Sequence, residues 1–128
     1  MARRFDGSAV RIDYDNALGG STSTEGKSFT FAAWVRPESF SKDQDLFCIH
    51  LNTNSSEYYI FVGLNTSGKI RYRYYGTSGG NGHWTGTTTT TLSANTWSHI
   101  ALTIAIGTLN ETGAKVYKDG TECTYDAR

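Results

Sequence analysis

A chain of 128 residues and 14.1 kDa is long enough to bury one hydrophobic core and too short for two comfortable ones. Twelve basic residues against twelve acidic ones leave a formal charge of +0, so no broad field draws nucleic acid or an anionic membrane surface by counterion release, which argues against both as partners. Fourteen Gly, a single Pro and 13% aromatic residues, with long Ser and Thr stretches, describe β-branched and aromatic strands joined by tight turns, an all-β chain.

The opening Met1-Ala2-Arg3-Arg4 is basic, but Phe5-Asp6-Gly7-Ser8 follows where a secretion signal needs about 7 to 15 apolar residues. Synthesis in the cytoplasm without a secretion signal is the expectation. "AVRIDY" is the first strand candidate, with Val10, Ile12 and Tyr14 alternating with Arg11 and Asp13, one face buried and one wet. The Gly/Ser/Thr-rich run after it reads as a surface loop. "SFTFAAWV" is apolar at nearly every position, as a central strand covered on both faces would be, and Arg36-Pro37 stops it.

Next come "LFCIHL", "YYIFVGL" and "KIRYRYY", three strands linked by the short polar turns "NTNSSE" and "NTSG", the signature of an antiparallel meander. In the third, Ile70, Tyr72 and Tyr74 share a face opposite Arg71, Arg73 and Tyr75. "GTSGGNGHWTG" is the most suggestive loop. Its glycines give backbone freedom, and His83 and Trp84 give it two large side chains that loops seldom carry. Two readings stand: an exposed ring platform, or a Trp that begins the next strand and folds onto the core. The Thr run after it is too polar to be buried on both faces and reads as an edge or solvent-facing strand.

"NTWSHIALTI" places Ile100, Leu102, Ile104 and Ile106 on a core face, with Trp97, His99, Ala101, Thr103 and Ala105 opposite. No Ser, Cys or carboxylate neighbours His99 in sequence, which favours a structural histidine over a catalytic one. "HIALTIAIG" is only about nine residues against the roughly twenty that a bilayer requires, so no membrane insertion is expected. "AKVYKDGTECTYDAR" completes the chain as a hairpin about Asp119-Gly120. Cys48 and Cys123 can be two buried free thiols or a bridge, and neither has the His or Cys spacing of a zinc site.

Four segments in order, "RRFDGSAVRI", "SFTFAAWVRPESF", "LSANTWSHIALTI" and "KVYKDGTE", resemble the laminin-G-like members of the concanavalin A-like lectin and glucanase superfamily. The resemblance covers nearly the whole chain as one domain, residues 1–128, and implies a jelly-roll sandwich of two antiparallel sheets. It also implies a buried Trp34 strand and a structural strand in which Trp97 and His99 are core. Such domains usually continue past the "YxDG" hairpin to a closing strand, and none follows here, so the sandwich is expected to lack that C-terminal strand. Three readings stand for the open edge: a shortened version of the fold, cover by a neighbouring chain, or a chain that is part of a longer product.

Glucanases of the superfamily resemble one another in an "ExDxxE" arrangement, because retaining hydrolysis needs two carboxyls about 5 Å apart; no such triplet occurs, and the chain is expected not to be an enzyme. No cofactor is required, although laminin-G-like modules often hold calcium at a sheet rim. Asp43, Asp45 and Asn65 are the candidate oxygen donors for such a site, with Asp13 and Asp15 a second cluster, and the alternative reading of "KDQD" is a hydrophilic turn. For a glycan, Trp84, His83, Tyr74 and Tyr75 can stack on sugar faces and Asn81 can bond hydroxyls. Leaderless chains starting "MxRxFDGS" are similar to laminin-G-like proteins of bacteriophages. That resemblance implies a virion location and a capsid-decoration or tail-associated role, docked on other virion proteins, on copies of itself as a homo-oligomer, or on a host surface glycan.

Overall fold

The computed structural model describes residues 29–53, 56–76, 82–104 and 113–127, with the backbone alone at 29, 49–53, 56–59, 74–76, 82–84 and 127. The strand expected at "AVRIDY", the loop after it, and Asp13, Asp15, Asn81, Ala105 and Ile106 lie outside the described residues. Nine strands are described: β1 Phe29–Val35, β2 Gln44–Thr53, β3 Ser56–Leu64, β4 Lys69–Gly76, β5 Gly82–Thr91, β6 Ser98–Ile104, β7 Ala114–Lys118, β8 Thr121–Glu122 and β9 Tyr125–Ala127. They form a four-stranded sheet, β1-β6-β7-β8, and a five-stranded sheet, β2-β3-β4-β5-β9, antiparallel throughout. This is the expected two-sheet sandwich, and β2, β3 and β4 are the expected meander.

Alternation builds the core from both sheets. In β6, Ser98, Ile100, Leu102 and Ile104 are buried while the residues between them are half-exposed. Ile60, Val62 and Leu64 of β3 and Ile70 and Tyr72 of β4 supply the opposite wall. Fully burying each such aliphatic side chain stabilises the fold by about 1.5–3 kcal/mol. A register shift between Asp45 and Phe47 bulges β2 and lets the sequence neighbours Leu46 and Phe47 both pack against this core. Phe31 of the first sheet stacks on Phe47 of the second, with ring centroids 4.5 Å apart. Tyr125 makes the second cross-sheet tie: its ring meets Tyr72 edge-on at 6.4 Å, and its hydroxyl accepts the Val116 N–H at 2.8 Å.

The turns follow local chemistry. Asn65 Oδ1 accepts the N–H groups of Ser67 and Lys69 and so shapes the β3–β4 turn, in which Gly68 takes φ 73°. At the β7–β8 turn Asp119 and Gly120 take φ 50° and 83°, the pair of positive values that a tight hairpin turn requires.

Four expectations are corrected. The β1 strand is not covered on both faces: Thr30, Ala32 and Trp34 are exposed, while Phe31 and Val35 between them turn inward and pack against the core shared with the second sheet. Trp34 is therefore 65% exposed rather than buried, and Trp97 is 51% exposed rather than core. The Thr run is neither an edge nor wholly solvent-facing, since β5 lies between β4 and β9 and Thr88 is fully buried. Its hydroxyl accepts the Ile70 N–H at 3.2 Å and donates to the Thr90 carbonyl at 2.8 Å, which satisfies backbone groups where the β4–β5 register shifts. Cys48 and Cys123 are free, and only Cys123 is buried. The C-terminal residues turn back at Cys123 and Thr124 and add the short β9 against β5.

Candidate functional site

Three surfaces carry side chains of functional interest. The first is the far end of the β4–β5 hairpin. Tyr74 stands opposite Trp84 in register, and Tyr75 opposite His83. The backbone register thus makes two neighbouring pairs of four of the five residues expected to meet a glycan, and strand alternation sets the two pairs on opposite faces of the sheet. Trp84 lies within β5 rather than in a loop.

The second surface is the corner built by the start of β2 and the β3–β4 turn. Asn65 follows Leu64, the register partner of Gln44, so Asp43, Asp45 and Asn65 share one end of the sheet. The positive charge facing the two carboxylates is a guanidinium: Arg71 Nη1 lies 2.8 Å from Asp43 Oδ2, and Nη2 lies 3.7 Å from Asp45 Oδ1. The guanidinium also covers the Phe61 ring at 5.1 Å, and Phe61 in turn lies over Gly63, where a Cβ would come within 2.5 Å of the ring. Asn65 Oδ1 already accepts two backbone N–H groups. Among the described residues no group of three His, Cys, Asp or Glu side chains is placed to hold a metal ion.

The third surface is the outer face of the four-stranded sheet, whose Trp residues the sequence reading assigned to the core. Trp34 pairs in register with His99, their rings in an edge contact at 5.4 Å. Continuing the same register sets Trp97 opposite Arg36, and the burial of Ser98 puts Trp97 on the same side as His99. The two indoles are the exposed large hydrophobic side chains of the described residues.

Hydrogen bonds fix the segments that carry these rings. Arg36 Nε donates to the Asn95 carbonyl at 3.1 Å, Asn95 N–H to the Pro37 carbonyl at 2.7 Å, and Asn95 Nδ2 to the Glu38 carbonyl at 3.4 Å. Asn95 takes φ 58°, a left-handed conformation that Asn tolerates better than most residues. On the other flank Asp119 clasps His99: its N–H donates to the His99 carbonyl and its Oδ1 accepts the His99 N–H, both at 2.8 Å. Lys118 pairs with Asp119 Oδ2 at 3.5 Å.

A sequence signal for this face exists in the parity of β1. Trp34 shares its side of the strand with Thr30 and Ala32, a polar and a small residue, whereas Phe31 and Val35 occupy the other side.

A family model described as the concanavalin A-like lectin/glucanases superfamily, laminin-G-like, matches residues 10–126. No curated protein and no solved structure matches the chain.

Proposed function

The chain belongs to the concanavalin A-like lectin/glucanases superfamily, and from that premise we propose that it is a non-enzymatic docking module, a structural or adhesive part of a virion that attaches to other virion proteins or to a host surface. Domains of this superfamily's laminin-G-like kind are often carbohydrate-binding or adhesive and generally non-catalytic. The observation that carries the reading is the outward placement of Trp34 and Trp97 on a sheet whose other face is a complete core wall. Large apolar rings held in solvent by a pinned backbone lower stability and solubility unless something docks on them.

Particle attachment and self-association as a homo-oligomer belong to the same reading, with the phage setting resting on the resemblance of the chain's opening residues. Light scattering of the full chain on a sizing column tests it, and a concentration-stable assembly is the expected result. A monomer at every concentration, which also fails to co-sediment with particles carrying the neighbouring virion proteins, refutes it.

Glycan recognition at the β4–β5 hairpin is the second reading, favoured by the register that sets Tyr74 against Trp84 and Tyr75 against His83. Loss of polysaccharide binding on Trp84→Ala is its test. Calcium enters neither reading as a requirement, because Arg71 supplies the countercharge to Asp43 and Asp45.

A further inference from the structure

We propose that the outer face of the four-stranded sheet binds a second copy of this chain, face to face, in a two-fold dimer that sets Trp34 of each copy over Ala32 of the other. The proposal rests on the docking-module reading and deepens it by naming the partner and the register of the contact.

Register and alternation lay the face out in rows that run across the strands. Thr30 and Thr103 form the first, with Lys115 beside them, and Ala32, Ala101 and Tyr117 form the second. The third holds Trp34 and His99 and ends at Asp119, whose N–H and carboxylate both bond the His99 backbone. Arg36 and Trp97 make the fourth by continuing the register. The exposed rings therefore form a ridge, and the alanine pair leaves a hollow one row away, at about 7 Å.

A ridge beside a hollow of matching width is self-complementary, which is what a two-fold contact requires. Consider an axis in the plane of contact, running across the strands midway between the Ala32 row and the Trp34 row. It sets β1 over β1 and β6 over β6 with their directions reversed, the aligned arrangement in which sheets stack about 10 Å apart. Trp34 then faces Ala32 of the second copy, His99 faces Ala101 and Trp97 faces Thr103, so a ring meets a small side chain in all three pairs. The polar groups match too: Tyr117 brings a hydroxyl donor to the Asp119 carboxylate, and Arg36 faces Thr30. No like charges are opposed in these pairs. Lys115 is answered by Glu122 of its own copy at 3.1 Å, and a formal charge of +0 adds no long-range repulsion between copies.

The face has a flat footprint on the order of 400 Å² per copy at ordinary strand spacing and rise. Two footprints, with the walls of the standing indoles, come to about the 1,000 Å² in total that a specific interface should clear. Fit rather than extent has to hold such a pair. Strand pairing and the Asn95 and Asp119 clasps fix the rings before a partner arrives, so little ordering entropy is lost on association.

Sedimentation velocity of the full chain from about 1 μM to 1 mM tests the proposal. The expected mass approaches twice 14.1 kDa, and Trp34→Ala or Trp97→Ala should weaken the dimer about tenfold or more. Ala32→Trp fills the hollow and should leave a monomer. Combining Ala32→Trp with Trp34→Ala exchanges ridge and hollow and should restore most of the dimer. All these positions are exposed, so thermal melts of the variants at low concentration should stay close to the parent. In a Cys48→Ser background, Thr30→Cys chains mixed with Arg36→Cys chains should form the mixed disulfide, whereas two like thiols would stand about 20 Å apart. A monomer at every concentration overturns the proposal. So does a dimer that Ala32→Trp and Trp34→Ala leave unchanged, or one that cross-links like with like. The docking-module reading fails separately: a monomer that still co-sediments with particles carrying the neighbouring virion proteins leaves it standing with a different protein on this face.

Discussion

Gly86 sits directly opposite Tyr72 in the β4–β5 register, and the Tyr72 ring lies across it. A Cβ added at Gly86 would come within 2.3 Å of Tyr72 Cζ and Oη and 2.4 Å of Cε1, against about 3.5–4.0 Å for an unstrained carbon contact. The ring has little room to yield. Tyr72 is 2% exposed and its ring abuts Tyr125, which the Val116 N–H holds by its hydroxyl. Overpacking of this kind costs about 1–3 kcal/mol, and the upper end applies where the neighbour is an enclosed ring. Replacing a strand glycine returns roughly 0.5–1 kcal/mol of backbone entropy, so Gly86→Ala should lose about 1–2 kcal/mol net. For a domain of this size that lowers the melting temperature by on the order of 4–10 °C. The clash is with the outer ring atoms, and Tyr72→Leu removes them. In a Tyr72→Leu background the same Gly86→Ala change should be nearly neutral, giving a coupling of about 1–2 kcal/mol by urea denaturation of the four species. A Gly86→Ala chain that melts within 2 °C of the parent by about that scale, or equal costs in both backgrounds, would refute the packing argument.

Thr88→Val should cost about 2–4 kcal/mol in urea unfolding because the Ile70 N–H and the Thr90 carbonyl both lose their hydroxyl partner, while Thr88→Ser keeps most of the stability. Neither EDTA nor millimolar calcium should move the melting temperature; binding at a hundredfold excess over Kd would add about 2.7 kcal/mol, so a clear rise with calcium contradicts the assignment of Arg71 as the countercharge. A thiol reagent should titrate Cys48 alone in the native chain and both thiols in denaturant. Even Cys48 should react slowly, since partial burial and then the Asp45 carboxylate push its pKa up. Burial also raises the Cys123 pKa above its ordinary 9.0. The folded chain therefore holds that proton more tightly than the unfolded one, and the contribution is complete below pH 9.0 and lost as pH rises toward the folded value. Cys123→Ala should flatten the alkaline fall in melting temperature, and an unchanged slope would contradict it.

Much of the sandwich was legible because local chemistry and tertiary context agree. The period-2 pattern of Ile60, Val62 and Leu64, and of Ile100, Leu102 and Ile104, names the core face directly. Asp119-Gly120 encodes its turn through the positive φ that both residues adopt. The Asp43–Asp45–Asn65 corner was legible as a place and not as a chemistry. Nothing in "KDQD" announces that Arg71, two strands away, will answer both carboxylates. Cross-strand partners of that kind depend on register, and here the register passes a bulge at Asp45/Phe47.

The exposed face that carries Trp34 and Trp97 was missed for a different reason, and the reason bears on what the surface does. Tryptophan is the most apolar mass a strand can carry, so in a run such as "SFTFAAWV" it is assigned to the core by default. Strand parity contradicts the default at both positions, since Trp34 alternates with Val35 and Trp97 with buried Ser98. The small hydroxyl of Ser98 faces inward while the large indole beside it faces water, the reverse of what core filling alone would arrange. Stability cannot account for that inversion, because exposing an indole forgoes about 25 cal/mol for each Å² that could have been buried. Asn95 and Asp119 both hold left-handed backbone conformations, and their hydrogen bonds fasten the chain on either flank of the inverted residues. Exposed apolar surface on a backbone fastened from both flanks marks a site whose compensation lies in what it binds.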